Sequence, residues 1–285
     1  MIRIAITGSS GLIGSALRHS LAAGGAQILR LPHDPAQWNP FHLERYDAVI
    51  HLAGESLAEG RWTPDKKRRI RESRTKPTAA LATLLANLTH KPPLFISASA
   101  IGIYGNRGDE SLTERAEPGA GFLPETVRAW EAAADPARAA GIRVVHPRFG
   151  VVLSPDGGAL KKMLPIFRAC LGGQLGSGQQ WMSWISLRDT VAALEFLMEH
   201  EDLTGPINFV SPQPVRNAEF TRALAAALHR PAILPAPAFA LRAAFGEMAD
   251  EALLSSTRVL PEILLAEDFR PHDPSLPGAL AAMLR

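Results

Sequence analysis

The fold is decided by Thr7-Gly8-Ser9-Ser10-Gly11-Leu12-Ile13-Gly14, which joins a short apolar run at the start of the chain to an amphipathic segment. A dinucleotide pyrophosphate needs a tight turn, a close backbone approach without a Cβ atom, and a helix N-terminus whose free N–H groups face the anion. Gly8, Gly11 and Gly14 supply these three needs in that order. An ordinary strand-to-helix loop is the alternative, but the preceding strand and following helix are the context expected of a dinucleotide site.

The first half of the chain alternates short apolar runs with helical patterns, which predicts a parallel sheet with crossover helices. Thr63 is the predicted N-cap of the second helix, because Pro64 suits the first helical position. Strands are predicted at 2–6, 27–30, 48–52, 94–97, 143–146 and 207–210, and helices at 15–23, 64–88, 125–140, 187–200 and from about 217. The remainder, rich in Ala, Leu and Pro, predicts short helices.

The predicted fold class is therefore α/β, a Rossmann doubly wound parallel sheet with a smaller, mostly helical C-terminal lobe for the substrate. A length of 285 residues suits one compact unit of this kind. We assign residues 1–160 and part of 185–210 to the Rossmann region. Residues 161–285 form the predicted substrate lobe, with a small helical domain at about 235–283.

Composition argues against several classes of partner. A net charge of +2 disfavours nucleic acid, because phosphate binding needs a concentrated positive surface. No apolar run reaches the roughly 18 residues of a membrane span, and no secretory signal precedes the first strand, so we expect a cytoplasmic protein without a membrane partner. The single cysteine, Cys170, cannot form an internal disulfide or a thiolate metal site, and no metal is predicted. The oligomeric state stays open.

The residue that ends the second strand distinguishes the two nicotinamide cofactors. A carboxylate there binds the ribose hydroxyls, whereas an arginine accommodates the 2′-phosphate. That position holds Arg30, and the first carboxylate after it is Asp34. The predicted cofactor is therefore NADP(H), with a solvated arginine at a strand end as the alternative.

Long strings in the chain resemble one protein family. The GxxGxxG spacing is similar to that of the extended and atypical short-chain dehydrogenase/reductases, the superfamily of sugar-nucleotide epimerases and dehydratases. The chain resembles the atypical branch called epimerase family protein 39U, through HLAGESLAEGRW (51–62), SASAIGIYG (97–105), RFGVVLSPDGGAL (148–160) and NFVSPQPVRNAEF (208–220). The resemblance covers essentially the whole chain. It implies NADP(H) binding and a small C-terminal helical domain, and it brings no settled substrate.

The resemblance also assigns cofactor contacts beyond the glycine turn. It implies that Leu52, Ala53 and Gly54 let the adenine-ribose half of the cofactor lie close against the backbone, although a plain strand end remains the alternative. The backbone amide near Val152 is expected beside the nicotinamide carboxamide. Ser97 and Ala98 are the remaining predicted cofactor contacts.

Arg74 falls on the apolar stripe of the predicted helix at 64–88. A buried arginine needs an anionic partner, so Arg74 is predicted to contact cofactor or substrate. The alternative is a structural salt bridge to a carboxylate such as Glu55. The other basic residues of this helix are predicted to form a solvated face; they are Lys66, Lys67, Arg68, Arg69 and Arg71.

The usual catalytic pair of short-chain dehydrogenases is missing. In that family a tyrosine and a lysine four residues apart transfer the proton, because the lysine lowers the pKa of the tyrosine. The resemblance places Leu123 and Val127 at these two positions, and neither side chain can transfer a proton. The candidate catalytic residues are therefore Ser99, Tyr104 and Arg74.

The predicted substrate contacts are Glu55, Trp62, Trp181 and Trp184. The tryptophans would form an apolar wall for a ring-shaped ligand, or else pack between the two lobes. Two functions remain open. One is an NADP(H)-dependent oxidoreductase or epimerase-like enzyme for a small molecule, either a sugar nucleotide or another carbonyl compound. The other is a non-catalytic NADP(H)-binding sensor or scaffold.

Overall fold

The computed structural model describes residues 1–57 and 60–284. Its strands are β1 (Arg3–Thr7), β2 (Gln27–Arg30), β3 (Ala48–His51), β4 (Leu94–Ser97), β5 (Ser99–Ala100), β6 (Ser111–Leu112), β7 (Arg143–Phe149), β8 (Val151–Leu153), β9 (Trp181–Met182), β10 (Trp184–Ser186), β11 (Gly205–Phe209), β12 (Val215–Arg216) and β13 (Arg258–Val259). Its α-helices are α1 (Leu12–Ala23), α2 (Pro64–Ala86), α3 (Phe122–Ala132), α4 (Asp135–Ala139), α5 (Gly158–Arg168), α6 (Leu187–Glu199), α7 (Asn217–Leu228), α8 (Ala238–Phe245), α9 (Glu262–Ala266) and α10 (Leu276–Met283). A π-helical segment spans Ala249–Leu253.

The central sheet is parallel and has the strand order β2-β1-β3-β4-β7-β11, with β5 paired to β7. The predicted Rossmann fold and its strands are thereby confirmed, and the Thr63 side chain caps α2 by accepting the Lys66 N–H. The single helix predicted at 125–140 is wrong, because the chain turns after Ala132 and starts α4 at Asp135. Pro136 has no N–H to donate to the carbonyl of Ala132, and its ring crowds that carbonyl, which explains the break after Ala132.

Alternate residues of each central strand cover the two faces of the sheet. On one face Ile4 and Ile6 pack with residues of α1 and α6, and on the other Ala5 packs with residues of α2 and α4. All three are fully buried, and each large side chain contributes about 1.5–3 kcal/mol by leaving water. The two-sided core holds the carboxyl ends of the strands in fixed positions.

The second half of the chain forms a lobe around its own cluster of buried side chains. Residues of α5, α7 and α10 pack around Trp184, Phe220 and Leu280, while β11 returns to the edge of the central sheet. The lobe therefore stands directly beside the carboxyl end of the Rossmann sheet.

Among the described residues, no helix combines the length and apolar character that a membrane crossing requires.

Candidate functional site

The strand order reverses between β1 and β3. The chain leaves β1 for β2 on one side and returns to β3 on the other, and ligands of open α/β sheets bind in the crevice that such a reversal creates. At this point Gly8 has a φ of +65°, and a Cβ atom there would lie 2.7 Å from the carbonyl carbon of Leu52. The glycine turn and the loop of Leu52, Ala53 and Gly54 therefore meet backbone to backbone.

The start of α1 is free to bind an anion. Gly11 is its N-cap and provides no side-chain cap, so the first N–H groups of the helix, from Leu12 to Gly14, have no partner within the helix. A Cβ atom at Gly14 would lie 2.2 Å from the carbonyl oxygen of Gly8, which only a glycine avoids. Ser9 and Ser10 complete the turn between these glycines. The turn thus presents donors and leaves no room for a side chain at Gly8 or Gly14.

Arg30 ends β2 next to this turn. Its Nε donates a hydrogen bond to the Ser9 Oγ across 3.2 Å, and its side chain is otherwise open to solvent. Among the ion pairs of the described residues, none involves Arg30. An exposed guanidinium without an ion-pair partner among the described residues therefore stands at the edge of the crevice beside the turn.

Arg74 lies against the loop of Leu52, Ala53 and Gly54, and a Cβ atom at Gly54 would stand 3.6 Å from its guanidinium carbon. The guanidinium donates to the backbone carbonyls of Ile70 and Glu55, each across 3.0 Å. It also lies 5.3 Å from the centre of the Trp130 ring. Burial lowers the pKa of Arg74 to about 10. The alternative of a salt bridge to the Glu55 carboxylate is wrong.

The Glu55 carboxylate is instead bound by Lys66, whose Nζ lies 2.6 Å from Oε1. The hydrogen bond from Lys66 holds the pKa of Glu55 below its ordinary value. Lys66 is only 5% exposed, so its prediction as part of a solvated face is wrong. The sequence could not show this pair, because Lys66 lies among five basic residues of similar appearance.

A cavity of about 410 Å³ lies between α3, α5, the strand β9 and residues 251–257. Its wall is mainly apolar and includes Ile70, Leu123, Val127, Met163, Trp181 and Leu253. Leu123 and Val127, at the positions expected for tyrosine and lysine, both line this wall. Arg74 and Ser99 line it as well.

Ser99 is the cavity-lining end of a buried polar network. Its Oγ donates to the Glu131 Oε1 across 2.6 Å, and Arg148 binds both oxygens of that carboxylate across 2.8 and 2.9 Å. Burial raises the pKa of Glu131, but the hydrogen bonds and charge of Arg148 outweigh it and leave the pKa below its ordinary value. Glu131 is therefore ionised, and the single proton of Ser99 is committed to it.

Tyr104 lies behind this network rather than in the cavity. Its hydroxyl donates to the Asn208 Oδ1 across 2.8 Å and accepts from the Arg148 Nη1 across 3.0 Å. The side chain is fully buried, and burial raises the pKa of the phenol. This placement corrects the assignment of Tyr104 as a catalytic residue, because its hydroxyl is already used by two buried partners.

The three tryptophans do not form one wall. Trp181 lines the cavity, with the guanidinium carbons of Arg216 and Arg258 4.4 and 4.6 Å from its ring centre. Trp62 packs edge-on against Phe122, and Trp184 is fully buried in the core of the second lobe. The alternative of internal packing therefore describes Trp62 and Trp184.

The remaining predicted cofactor residues lie along the carboxyl ends of β4 and β8. Ser97 and Ala98 are buried, and the Ser97 Oγ has no hydrogen-bond partner among the described residues. Val152 is half-buried and pairs with Ile185 of β10. Its neighbour Val151 lines the cavity, whereas Val152 does not.

Sequence reasoning missed Glu131 and Arg148 as site residues. Arg148 in the largely buried strand β7 was the available signal, since a buried cation requires an anionic partner. Sequence reasoning also missed Glu251, which lines the cavity and accepts the N–H groups of Phe122 and Leu123 at the start of α3. No local pattern joins Glu251 to residues more than one hundred positions earlier.

The chain is similar to known proteins over nearly its whole length, including the residues of the site. The model of the NAD dependent epimerase/dehydratase family matches residues 4–210, and a domain of unknown function, DUF1731, matches residues 236–283. Epimerase family protein MT2273 of Mycobacterium tuberculosis is 44% identical over 290 residues, which cover 97% of this chain and 96% of the relative. These matches confirm the family resemblance.

Two crystal structures are also similar. Human epimerase family protein SDR39U1 (isoform 2) with NADPH superposes with a TM-score of 0.92 at 30% identity, covering 99% of both chains. The nucleoside-diphosphate sugar epimerase of Corynebacterium glutamicum superposes with a TM-score of 0.83 at 36% identity, covering 99% of this chain and 58% of that one. The Rossmann sheet and the second lobe are thus shared with both structures.

Proposed function

Because the chain belongs to the NAD-dependent epimerase/dehydratase family, we propose that it is an NADP(H)-dependent oxidoreductase that acts on a small molecule in the cavity beside α3. The observation that carries the proposal is the glycine turn at the reversal of the strand order. A Cβ atom at Gly8 or Gly14 would collide with backbone, and the start of α1 offers free N–H groups. Such a turn fits a pyrophosphate.

The residues that would hold the cofactor lie along the carboxyl edge of the sheet. The turn from Gly8 to Gly14 would bind the pyrophosphate, and the loop from Leu52 to Gly54 would lie against the adenine-ribose half. Arg74 packs on that loop and would contact the cofactor or the substrate. The similar human protein was crystallised with NADPH, which supports the same cofactor here.

The preference for NADP(H) rests on Arg30. Its guanidinium is hydrogen-bonded to Ser9 of the glycine turn and has no ion-pair partner in the described part of the chain. A 2′-phosphate would provide the missing anion.

When bound, the cofactor supplies or accepts a hydride at its nicotinamide ring. The residues of the chain would manage the accompanying proton. Because the Ser99 hydroxyl donates its hydrogen bond to the Glu131 carboxylate, its oxygen can accept a hydrogen bond from a substrate hydroxyl. During alcohol oxidation the substrate proton would move to the Ser99 Oγ as the Ser99 proton moves to Glu131. Carbonyl reduction would reverse both transfers.

Arg148 and the apolar side chains would each assist this exchange. Arg148 keeps Glu131 ionised and holds its carboxylate in place as the hydrogen-bond acceptor of Ser99. Leu123 and Val127 cannot exchange protons and would exclude water from the reacting atoms. Ser99 and Glu131 would thus carry out the proton transfer that the tyrosine and lysine usually perform.

The proposal is tested by following NADPH oxidation at 340 nm with a panel of ketones, aldehydes and sugar nucleotides. We expect sustained turnover with at least one compound. With that compound, Ser99→Ala should lower kcat about 100-fold, within the range for losing a general acid or base, without changing NADPH affinity. The exposed Ser111→Ala is the matched control and should keep the wild-type rate. Full kcat in Ser99→Ala would contradict this proton transfer.

A second candidate function is a non-catalytic NADP(H)-binding sensor, which is favoured by Leu123 and Val127 in place of the usual pair. It predicts tight NADPH binding, a cofactor-dependent change of partner or oligomer, and no turnover with any compound of the panel. Sustained turnover would remove this candidate.

A further inference from the structure

The part of the cavity built by the second lobe is mainly apolar, although Gln180, Ser183, Asn217, Glu251, Ser255 and Thr257 also line it. Met163 of α5, Leu175, Met182 of β9 and Leu253 line it, and all four are partly buried. Side chains of this kind gain free energy by covering apolar ligand surface, at about 25 cal/mol per Å². A ligand that fills this part of the cavity therefore needs an apolar body.

Charged groups are scarce in the wall and already engaged. Among the described residues that line the cavity, Arg74 and Glu251 carry the charges. The Arg74 guanidinium is bound to two backbone carbonyls, and the Glu251 carboxylate accepts two N–H groups at the start of α3. A buried diphosphate would require several cations or free donors, and the Glu251 carboxylate would repel it. The wall therefore opposes the diphosphate of a nucleotide sugar.

Two further arginines stand nearby but outside the wall. Arg216 pairs with Asp109 across 2.9 Å, and both Arg216 and Arg258 lie over the ring of Trp181. Neither of the two lines the cavity, although Trp181 does. Their guanidinium groups are thus held against the indole and not presented to a ligand.

On the Rossmann side of the cavity, the hydroxyl groups of Ser99 and Thr126 are suited to bind a ligand. The Ser99 Oγ can accept a hydrogen bond, because its own proton is committed to Glu131. Thr126 lines the same cavity, is 2% exposed, and has an Oγ1 without a hydrogen-bond partner in the described part of the chain. A buried hydroxyl without a partner is unfavourable until a hydrogen bond satisfies it. A ligand hydroxyl or carbonyl is a suitable partner.

We infer that the cavity takes an uncharged, mainly apolar secondary alcohol or ketone rather than a nucleotide sugar. The inference rests on the proposed oxidoreductase function and names the substrate class for the same site. The alcohol and the ketone are the two sides of one reaction, in which the carbinol C–H leaves as hydride to NADP⁺ and the hydroxyl proton leaves through Ser99.

The test measures ligand binding to the full chain by titration calorimetry. The probes 2-octanol and UDP-glucose are titrated into the chain saturated with NADPH, and 2-octanone into the chain saturated with NADP⁺, so that no hydride is transferred during the measurement. We expect the octanol and the octanone to bind with dissociation constants at least about tenfold below that of UDP-glucose. Tighter binding of UDP-glucose, or binding of none of the three probes, would overturn the inference.

Two variants locate the binding. Met163→Lys introduces a cation into the apolar wall and should weaken 2-octanol binding at least about tenfold, because the ammonium group would lose hydration when the ligand covers it. Ile166→Lys introduces the same side chain on α5, at a position that is 51% exposed and outside the cavity, and should leave the affinity unchanged. Equal effects of the two variants would show that the probe binds elsewhere and would overturn the inference.

The same titration distinguishes a failure of the proposed function from a failure of the inferred substrate class. A chain that binds no NADPH refutes the proposed function itself. A chain that binds NADPH and prefers UDP-glucose refutes the substrate class and leaves the proposed cofactor in place.

Discussion

The glycine turn and the cavity-facing side of α3 belong to the same Rossmann region, yet they are built on different principles. At the turn, Gly8 and Gly14 act through the absence of side chains, and the backbone itself forms the surface. On α3, Leu123 and Val127 act through the identity of side chains, and the polar groups of this region are Ser99 and Glu131, which are hydrogen-bonded to each other. Under the proposed function, the fold keeps its cofactor geometry while its proton-transfer groups differ from the usual tyrosine and lysine.

The largest expected effect is on the free energy of unfolding and comes from a substitution on α3. Glu131→Leu should lower the free energy of unfolding by about 3–5 kcal/mol, because it leaves the buried Arg148 without its carboxylate partner. Urea denaturation at pH 7.5 measures the change. The double variant Glu131→Leu with Arg148→Met should recover most of the loss, since no unpaired charge remains. A loss below about 1 kcal/mol in the single variant would show that the pair is not structurally required.

A substitution in the glycine turn should weaken cofactor binding while the rest of the chain still folds. Gly14→Ala places a Cβ atom 2.2 Å from the carbonyl oxygen of Gly8, so the turn must shift away from the pyrophosphate position. We expect NADPH affinity to fall about 100-fold, or about 2.7 kcal/mol. Gly24→Ala, at the other end of α1, meets its nearest atom at 3.5 Å and is the matched control. Equal NADPH affinity in both variants would contradict the role of the turn.

A smaller effect concerns His51, which lies beside Thr7 where β1 and β3 end. Its Nδ1 is 2.6 Å from the Thr7 Oγ1, and burial lowers its pKa to about 4. The unfolded chain, with a histidine pKa near 6.5, binds the proton first as the pH falls, so stability decreases between about pH 6.5 and 4. Moving from pH 7.5 to 5.5 should cost about 1.4 kcal/mol through this group.

Urea denaturation at the two pH values checks this expectation. His51→Gln should remove this part of the pH dependence, whereas His33→Gln, which changes an exposed histidine, should retain it. Identical pH dependence in wild type and His51→Gln would contradict a neutral, buried imidazole at this point.

The two regions also differ in what the sequence could predict. The turn, the parallel sheet and most helix bounds follow from contiguous residues, because glycine spacing and apolar periodicity act locally. The helix predicted at 125–140 is an exception, since its break depends on Pro136. The absence of the tyrosine and lysine on α3 was equally visible in the sequence.

The sequence did not show which residues replace the tyrosine and the lysine. Glu131 and Arg148 lie 17 positions apart and meet only after β7 has joined the sheet. Trp184 and Tyr104 are residue types that often contact ligands, but both are fully buried, Trp184 in the core of the second lobe and Tyr104 in a separate apolar cluster. Long-range packing, which no local pattern encodes, decides these positions.

The proposed function requires above all an NADP(H) site formed by the glycine turn and Arg30. Equilibrium titration of wild type and Arg30→Ala with NADPH and with NADH tests it most directly. We predict that wild type binds NADPH at least about tenfold more tightly than NADH, and that Arg30→Ala loses this preference by weakening NADPH alone. Equal affinity of wild type for the two cofactors would contradict the account.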